Sequence, residues 1–239
     1  MIIENATMKD FSAHLRKSRT IIFPFGAVEE HGSHLPVSTD TITVNEVLSQ
    51  VIKKRNVFLA PTINYGVMLS NRKHPGTLGI SAECLRILTE DLIKDAYGKG
   101  LKNFLLVSGH GGRLHLAALQ EVADTLIDEL DGIRIAVFCT DDILADIRKE
   151  ISETPDDSHS GELETSIMLS IAPKLVKGRS KKEYPRFPDF FVVKDKVDYW
   201  KGGVWGDPSK AKKEKGDRAV RHMVKRVIDI IDAIEKKKF

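Results

Sequence analysis

Four short apolar runs alternate with amphipathic stretches, and this alternation constrains the fold more than any other feature. Thr20–Gly26 (TIIFPFG), Val57–Ile63 (VFLAPTI), Phe104–Val107 (FLLV) and Ile133–Cys139 (IRIAVFC) are nearly continuous in apolar residues, as strands buried on both faces must be. Between them, Thr41–Lys54 sets Ile42, Val47, Leu48 and Val51 at helical spacing. Glu83–Tyr97 places Leu85, Leu88, Leu92 and Ala96 on one face, with Ser81 as N-cap, and Leu114–Leu130 is a further amphipathic helix ended by Asp131-Gly132. This β-α-β-α order predicts the α/β class, a parallel sheet covered on both faces by helices and joined by right-handed crossovers. A helix over Glu164–Ile171 stops at Pro173, Lys177–Gly203 is irregular, and Ala219–Ile234 closes the chain as an amphipathic helix. With no linker, repeat or low-complexity tract, residues 1–239 read as one domain.

Composition narrows the function. With 41% hydrophobic and 30% charged residues the chain is neither disordered, collagen-like nor coiled coil. A chain of 239 residues buries enough surface to fold without a disulfide or structural metal, so any metal it binds is expected to be functional. The net charge of +3 is unevenly spread, since Lys174–Phe239 holds 20 basic and 10 acidic side chains. Acids interrupt those bases and aromatics do not, which fits a solvated helical face and no nucleic-acid partner. Cys84 and Cys139 lie in apolar stretches and read as reduced core residues. There is no secretory signal at the start and no run long enough to span a bilayer, so a soluble, cytoplasmic protein is expected.

Ligands of open parallel sheets bind at the carboxyl ends of the strands, and the unusual polar residues follow the predicted strands. After the first come Glu29-Glu30-His31-Gly32-Ser33-His34-Leu35-Pro36 and Thr39-Asp40. After the third comes Gly109-His110-Gly111-Gly112, and beyond the fourth His159-Ser160-Gly161-Glu162-Leu163-Glu164-Thr165-Ser166. Imidazole with carboxylate suits Zn, Mn or Fe(II), and these loops lack the cysteines of a structural zinc site. Glu29 and His31, two apart, share one side of an extended segment. Asp40 has two oxygens with which to bridge two ions, and His110 arrives from another strand end. Shared carboxylates are the usual parts of two-metal hydrolases.

Other polar residues carry weaker expectations. His34 could ligate, orient substrate or support a ligand, the last being favoured. His115, at a helix start, reads as packing or as a helix-terminal hydrogen bond. Arg72 and His74, in the long loop Tyr65–Gly79, could line a pocket, and Trp205 could be an aromatic wall or a packing anchor. His14 and His222 read as solvated, Asp156-Asp157 as exposed, and Glu162 as the solvent-facing member of the Glu162/Glu164 pair. A nucleotide-binding turn is not expected, because Gly26-Ala27-Val28-Glu29 shows no GxGxxG.

The segments Glu29-Glu30-His31-Gly32-Ser33-His34-Leu35-Pro36, Thr39-Asp40, His74-Pro75-Gly76-Thr77, Gly109-His110-Gly111-Gly112, His159-Ser160-Gly161 with Glu164-Thr165-Ser166, and Gly203-Val204-Trp205-Gly206-Asp207-Pro208 with Glu214-Lys215-Gly216 resemble the creatininase (creatinine amidohydrolase) family in its own order. The resemblance implies a three-layer α/β/α fold, homo-oligomers that include hexamers, and hydrolysis of carbon–nitrogen bonds in a small-molecule amide with two divalent ions per chain, zinc first and manganese or iron as alternatives. Carried over by position, Glu29 and His110 serve one ion, His31 the other, and Asp40 bridges. The type member has a carboxylate two residues after the histidine equivalent to His110, whereas this chain has Gly112, so the second ion needs another ligand and Glu164 is the candidate. Branches that share His-Gly-Gly include peptidases that mature mycofactocin precursor and formamide hydrolases of deazaflavin biosynthesis. The implied reaction is attack of activated water on an amide carbon, with His159 as proton donor to the leaving nitrogen and Glu164 either ligating or holding the His159 tautomer. A non-catalytic metal-binding member is the alternative outside enzymes.

Overall fold

The computed structural model describes residues 1–236. Among them, four parallel strands form a sheet: β1 (Thr20–Phe25), β2 (Phe58–Leu59), β3 (Asn103–Ser108) and β4 (Arg134–Cys139), in the order β2-β1-β3-β4. Phe25 pairs with Ser108 and Ser108 with Cys139, so β1, β3 and β4 end level at one rim. The helices are α1 (Met8–Leu15), α2 (Thr39–Val51), α3 (Ala82–Gly98), α4 (Arg113–Glu129), α5 (Thr140–Leu144), α6 (Arg148–Ile151), α7 (Glu162–Ile171) and α8 (Lys213–Lys236). They cover both faces, giving the three-layer α/β/α fold that the alternation predicts.

Side chains alternate across the sheet. Ile22, Leu105 and Val107 pack against Val44, Val47 and Leu48 of α2 and Val220, Val224, Val227 and Ile231 of α8. Ile21, Phe23, Phe25, Phe104 and Leu106 pack on the other side, against Leu85 and Ile93 of α3 and Leu119, Val122 and Leu126 of α4. Every residue of β1 and β3 is buried, which is why Ile21–Phe25 and Phe104–Val107 are apolar, while Asn103 at the start of β3 donates to Thr20 Oγ1 at 3.0 Å. Truncating Leu105 or Leu119 to Ala would cost about 2–5 kcal/mol.

Several boundaries differ from the sequence expectation. β2 shrinks from Val57–Ile63 to Phe58–Leu59 because it lies at the sheet edge and Pro61 has no N–H to extend a ladder. α2 starts at Thr39, whose Oγ1 donates to the Pro36 carbonyl at 2.7 Å, and this puts Asp40 on its first turn. α8 starts at Lys213 rather than Ala219, since its first six residues lack apolar periodicity and are tied by the Lys213–Asp217 ion pair at 2.8 Å. Ser81 caps α3 as expected, accepting from the Cys84 amide at 3.0 Å.

Three surface expectations are corrected. Cys84 is exposed, one step around α3 from buried Leu85, while Cys139 is buried. His14 is buried with its ring edge-on to Phe58, centroids 4.5 Å apart. His222 is half-buried, its Nε2 2.8 Å from Asp146 Oδ1. Among the described residues no helix is long and apolar enough to cross a membrane.

Candidate active site

The rim where β1, β3 and β4 end collects the polar segments. The chain leaving β1 carries Glu29, Glu30 and His31, the first turn of α2 carries Asp40, the turn after β3 carries His110, and the entry to α7 carries His159 and Glu164. Gly109 makes this convergence possible, because a Cβ there would strike the Asp40 main-chain carbonyl. Donor atoms of Glu29, Asp40 and His110 lie within 4.8 Å of one another, as do those of His31, Asp40 and Glu164, and of Glu29, His31 and His159. Asp40 joins the first two sets: its Oδ1 is 3.2 Å from His31 Nε2 and its Oδ2 is 3.4 Å from His110 Nδ1. Glu29 Oε2 lies 2.7 Å from His110 Nδ1, and Glu164 Oε2 lies 3.6 Å from His31 Nε2.

Backbone carbonyls set the histidine tautomers. His31 Nδ1–H donates to the Glu29 carbonyl at 3.1 Å, His110 Nε2–H to the Val67 carbonyl at 3.2 Å, and His159 Nε2–H to the Glu30 carbonyl at 2.8 Å. A carbonyl only accepts, so the proton of each neutral ring sits on the nitrogen that faces the carbonyl. His31 Nε2 and His110 Nδ1 therefore keep their lone pairs toward the carboxylates, the arrangement in which proteins hold a metal-binding imidazole. His31 Nε2 and Asp40 Oδ2 are buried without a hydrogen bond, since their neighbours sit close but off the bonding direction. Two unpartnered polar atoms in one buried cluster are what a cation site leaves when only protein atoms are counted.

The electrostatics point the same way. Burial opposes charge on His31, yet Asp40 and Glu164 outweigh it and lift the pKa to about 10. Burial is likewise outweighed at His110, where Glu29 and Asp40 raise the pKa well above the usual imidazole range. Asp40 is held far below the ordinary carboxylate range, burial being overcome by His31 and His110. Glu164 goes up to about 7, because burial exceeds the attraction of His31 and His159. The centre of this cluster favours positive charge.

The cluster floors a cavity of about 380 Å³ whose walls include Phe187, Trp200 and Trp205. Trp205 serves both expectations, lining the cavity and meeting Trp200 edge-on with centroids 6.1 Å apart. His74 lines a different cleft of about 620 Å³ that also holds Glu30 and Lys201, and exposed Arg72 lines neither. His34 sits behind the cluster, Nε2 2.8 Å from Thr165 Oγ1 and Nδ1 2.9 Å from Ser180 Oγ. His115 is buried and its Nδ1 accepts from the Val67 amide at 3.3 Å.

Two acidic residues contradict the expectation of exposure. Glu162 is fully buried, accepting from the Thr154 amide at 2.7 Å, the Ser152 hydroxyl at 3.1 Å and the Lys215 ammonium. Asp157 is buried as well and accepts from the Glu162 and Leu163 amides at 2.7 and 2.9 Å, so it satisfies the start of α7; Asp156 is exposed. Both carboxylates fix the helix that presents Glu164. The sequence reading missed Asn71, which donates to Glu29 Oε1 at 2.5 Å and Glu30 Oε1 at 3.3 Å from the long loop. It also missed Asp141, which lines the cavity from the start of α5. A lone Asn in a Gly-rich loop and an acid in a helix's first turn carry no distinguishing signal.

Comparison with known proteins follows the same lines. A mycofactocin precursor peptide peptidase of Mycolicibacterium smegmatis is 28% identical, over 88% of this chain and 83% of that protein. A creatinine amidohydrolase of Pseudomonas putida is 24% identical, over 97% of this chain and 96% of that one. A crystal structure of creatinine amidohydrolase superposes with a TM-score of 0.85 at 22% identity, covering 96% of each chain, so the fold is shared. Other solved creatininases with this fold are described as a Zn–Zn type and as a manganese form. The sequence profile of the creatininase family, creatinine amidohydrolase, matches residues 4–231, and the chain therefore belongs to the creatininase family of hydrolases.

Proposed function

We propose that this hydrolase cleaves a carbon–nitrogen bond in a small amide with two divalent ions held at the strand rim. One observation carries the reading: Glu29, Asp40 and His110 form one three-donor set, His31, Asp40 and Glu164 form another, and Asp40 has an oxygen in each. The donor chemistry fits hard-to-borderline cations, zinc first and manganese or iron next. The Zn–Zn and manganese forms of solved creatininases support that choice. Bound divalent ions supply Lewis acidity toward a carbonyl oxygen and a more acidic water.

The chain's own groups do the rest. His159 lies against the ring of His31, centroids 4.3 Å apart, with Nε2–H fixed by the Glu30 carbonyl. Its Nδ1 is left to carry a proton to the departing nitrogen, which an imidazole does well near neutrality. Glu164 accepts from the Ser160 amide at 2.5 Å, so the segment bearing His159 and the donor Glu164 are fixed together. Phe187, Trp200 and Trp205 limit water in the cavity.

A peptide-trimming reading stands beside this one, favoured by the peptidase relative at 28% identity and by a cavity large enough for a peptide end. Formamide hydrolysis shares the same chemistry. A hydrolysis screen of cyclic ureides, formamides and short peptides, each with zinc, manganese and iron, separates the three. Cleavage of at least one class, abolished in His31→Ala and Asp40→Ala proteins, is the expected result. Cleavage that persists unchanged in both variants contradicts the proposal, and an ion-loaded wild type that cleaves nothing supports the non-catalytic alternative.

A further inference from the structure

Glu29 belongs to two donor sets, and one side chain decides between them. Besides its set with Asp40 and His110, Glu29 has a donor atom within 4.8 Å of donors of His31 and His159. The His159 Nε2–H is committed to the Glu30 carbonyl at 2.8 Å, so its Nδ1 lone pair is open to a cation as well as to a proton. An ion held there would take His159 out of proton transfer. Asn71 stands at this fork. It is buried, and its Nδ2 donates to Glu29 Oε1 at 2.5 Å and to Glu30 Oε1 at 3.3 Å. Ionised carboxylates only accept, so the amide nitrogen and not the amide oxygen faces them. With Oε1 bonded, Glu29 presents Oε2, the oxygen 2.7 Å from His110 Nδ1.

The loop does not need this amide to stay in place. On one side of Asn71 the Leu69 carbonyl accepts from Lys196 at 3.2 Å. On the other, the His74 ring donates to the Trp200 carbonyl at 2.5 Å and the Leu78 amide to the Val28 carbonyl at 2.9 Å. A neutral amide also suits the position chemically. It satisfies one buried oxygen of each glutamate without cancelling the negative charge that a cation requires, as Lys or Arg would.

We propose that Asn71 is a positioning residue: by occupying Glu29 Oε1 it assigns Glu29 to the set with Asp40 and His110 and leaves His159 uncoordinated. This inference rests on the two-ion reading and adds to it the residue that keeps ion binding and proton transfer apart.

Titration of the full chain with cobalt(II), followed by calorimetry and by visible absorption, tests it in wild type, Asn71→Leu, His159→Gln and the double variant. Leucine fills the space of the amide and donates nothing, and Asn71→Ala supplies the same reading if the leucine protein does not fold. Wild type and His159→Gln are expected to match in affinity and spectrum. Asn71→Leu is expected to bind cobalt about 10–100-fold more weakly and with an altered visible band, the scale on which partners of ligating groups act. Adding His159→Gln to Asn71→Leu is expected to weaken binding further and change the band again, because the freed Glu29 recruits the imidazole. An Asn71→Leu protein that loses unfolding stability while cobalt affinity and spectrum stay at wild-type values overturns the inference, makes Asn71 a loop anchor and leaves the two-ion reading standing. A His159→Gln effect that is equal in both backgrounds also overturns it, since the two residues are then uncoupled. Wild type that takes up no cobalt overturns the inference and the two-ion reading together. Coupled binding in a wild type that cleaves no amide supports the inference and removes the hydrolase reading.

Discussion

Replacing Lys215 by Met separates a buried ion pair from an ornamental one. Glu162 has no exposed surface, and burial alone would raise its pKa, yet the Lys215 ammonium with the Thr154 and Glu153 amides holds it at about 2. Against an ordinary value of 4.5, that depression corresponds to about 3 kcal/mol of stability. Lys215 is the strongest of the favourable partners, and leaving a buried charge without its counterion costs about 3–5 kcal/mol. Lys215→Met keeps the length and apolar stem, so a loss of about 3 kcal/mol at pH 7 is expected. The sign with pH is fixed. A depressed carboxylate contributes above its unfolded pKa, so the wild type loses this stability as pH falls from about 4.5 to about 2. In the variant the carboxyl is no longer held down, so the gap between the proteins closes on acidification. Urea unfolding followed by tryptophan fluorescence at one protein concentration, at pH 7 and below pH 4, reads both numbers. Glu153→Gln is the control: it removes only the exposed partner of Lys215 at 2.6 Å and costs under about 1 kcal/mol. A Lys215→Met gap below about 1 kcal/mol at pH 7, or one that is unchanged in acid, refutes the argument.

Three further outcomes follow from the same geometry. Gly109→Ala forces a Cβ against the Asp40 main-chain carbonyl, which cannot swing away as a side chain could, and is expected to cost about 1–3 kcal/mol and to lower ion content; unfolding and metal analysis unchanged from wild type contradict the close approach. His159→Gln is expected to lower kcat by about 10²–10⁴-fold with the ions retained, and ion loss parallel to activity loss would assign His159 to ligation instead. His34 is pushed down to about 4 by burial and by the neighbouring His31 charge, so the unfolded chain binds the extra proton below about 6.5 and the ion-free protein loses stability from there toward pH 4. His34→Gln is expected to flatten that part of the curve, and an identical slope rejects the assignment.

Apolar periodicity located the sheet and most helices because β1 and β3 are buried along their whole length and their residue types have no other reason to cluster. It misplaced elements where burial is partial. β2 pairs with β1 over two residues and breaks at Pro61, and the first turn of α8 packs through Gly216 against the Ser166 carbonyl, which leaves it polar. The six residues expected at the centre meet there because each follows a strand end or opens a helix at one rim. What sequence did not disclose was polar burial. Glu162 and Asp157 look like surface acids in a loop, and only the folded chain places Lys215 and the α7 amides around them. Cys84 and His14 fail for the converse reason, since one position around a helix decides which face is covered.

Anomalous diffraction from crystals of the ion-loaded protein, collected above and below the metal edge, tests the two-ion centre most directly. Two peaks are expected, one among Glu29, Asp40 and His110 and the other among His31, Asp40 and Glu164, with Asp40 touching both. A loaded protein whose anomalous peaks lie away from Asp40 contradicts the account.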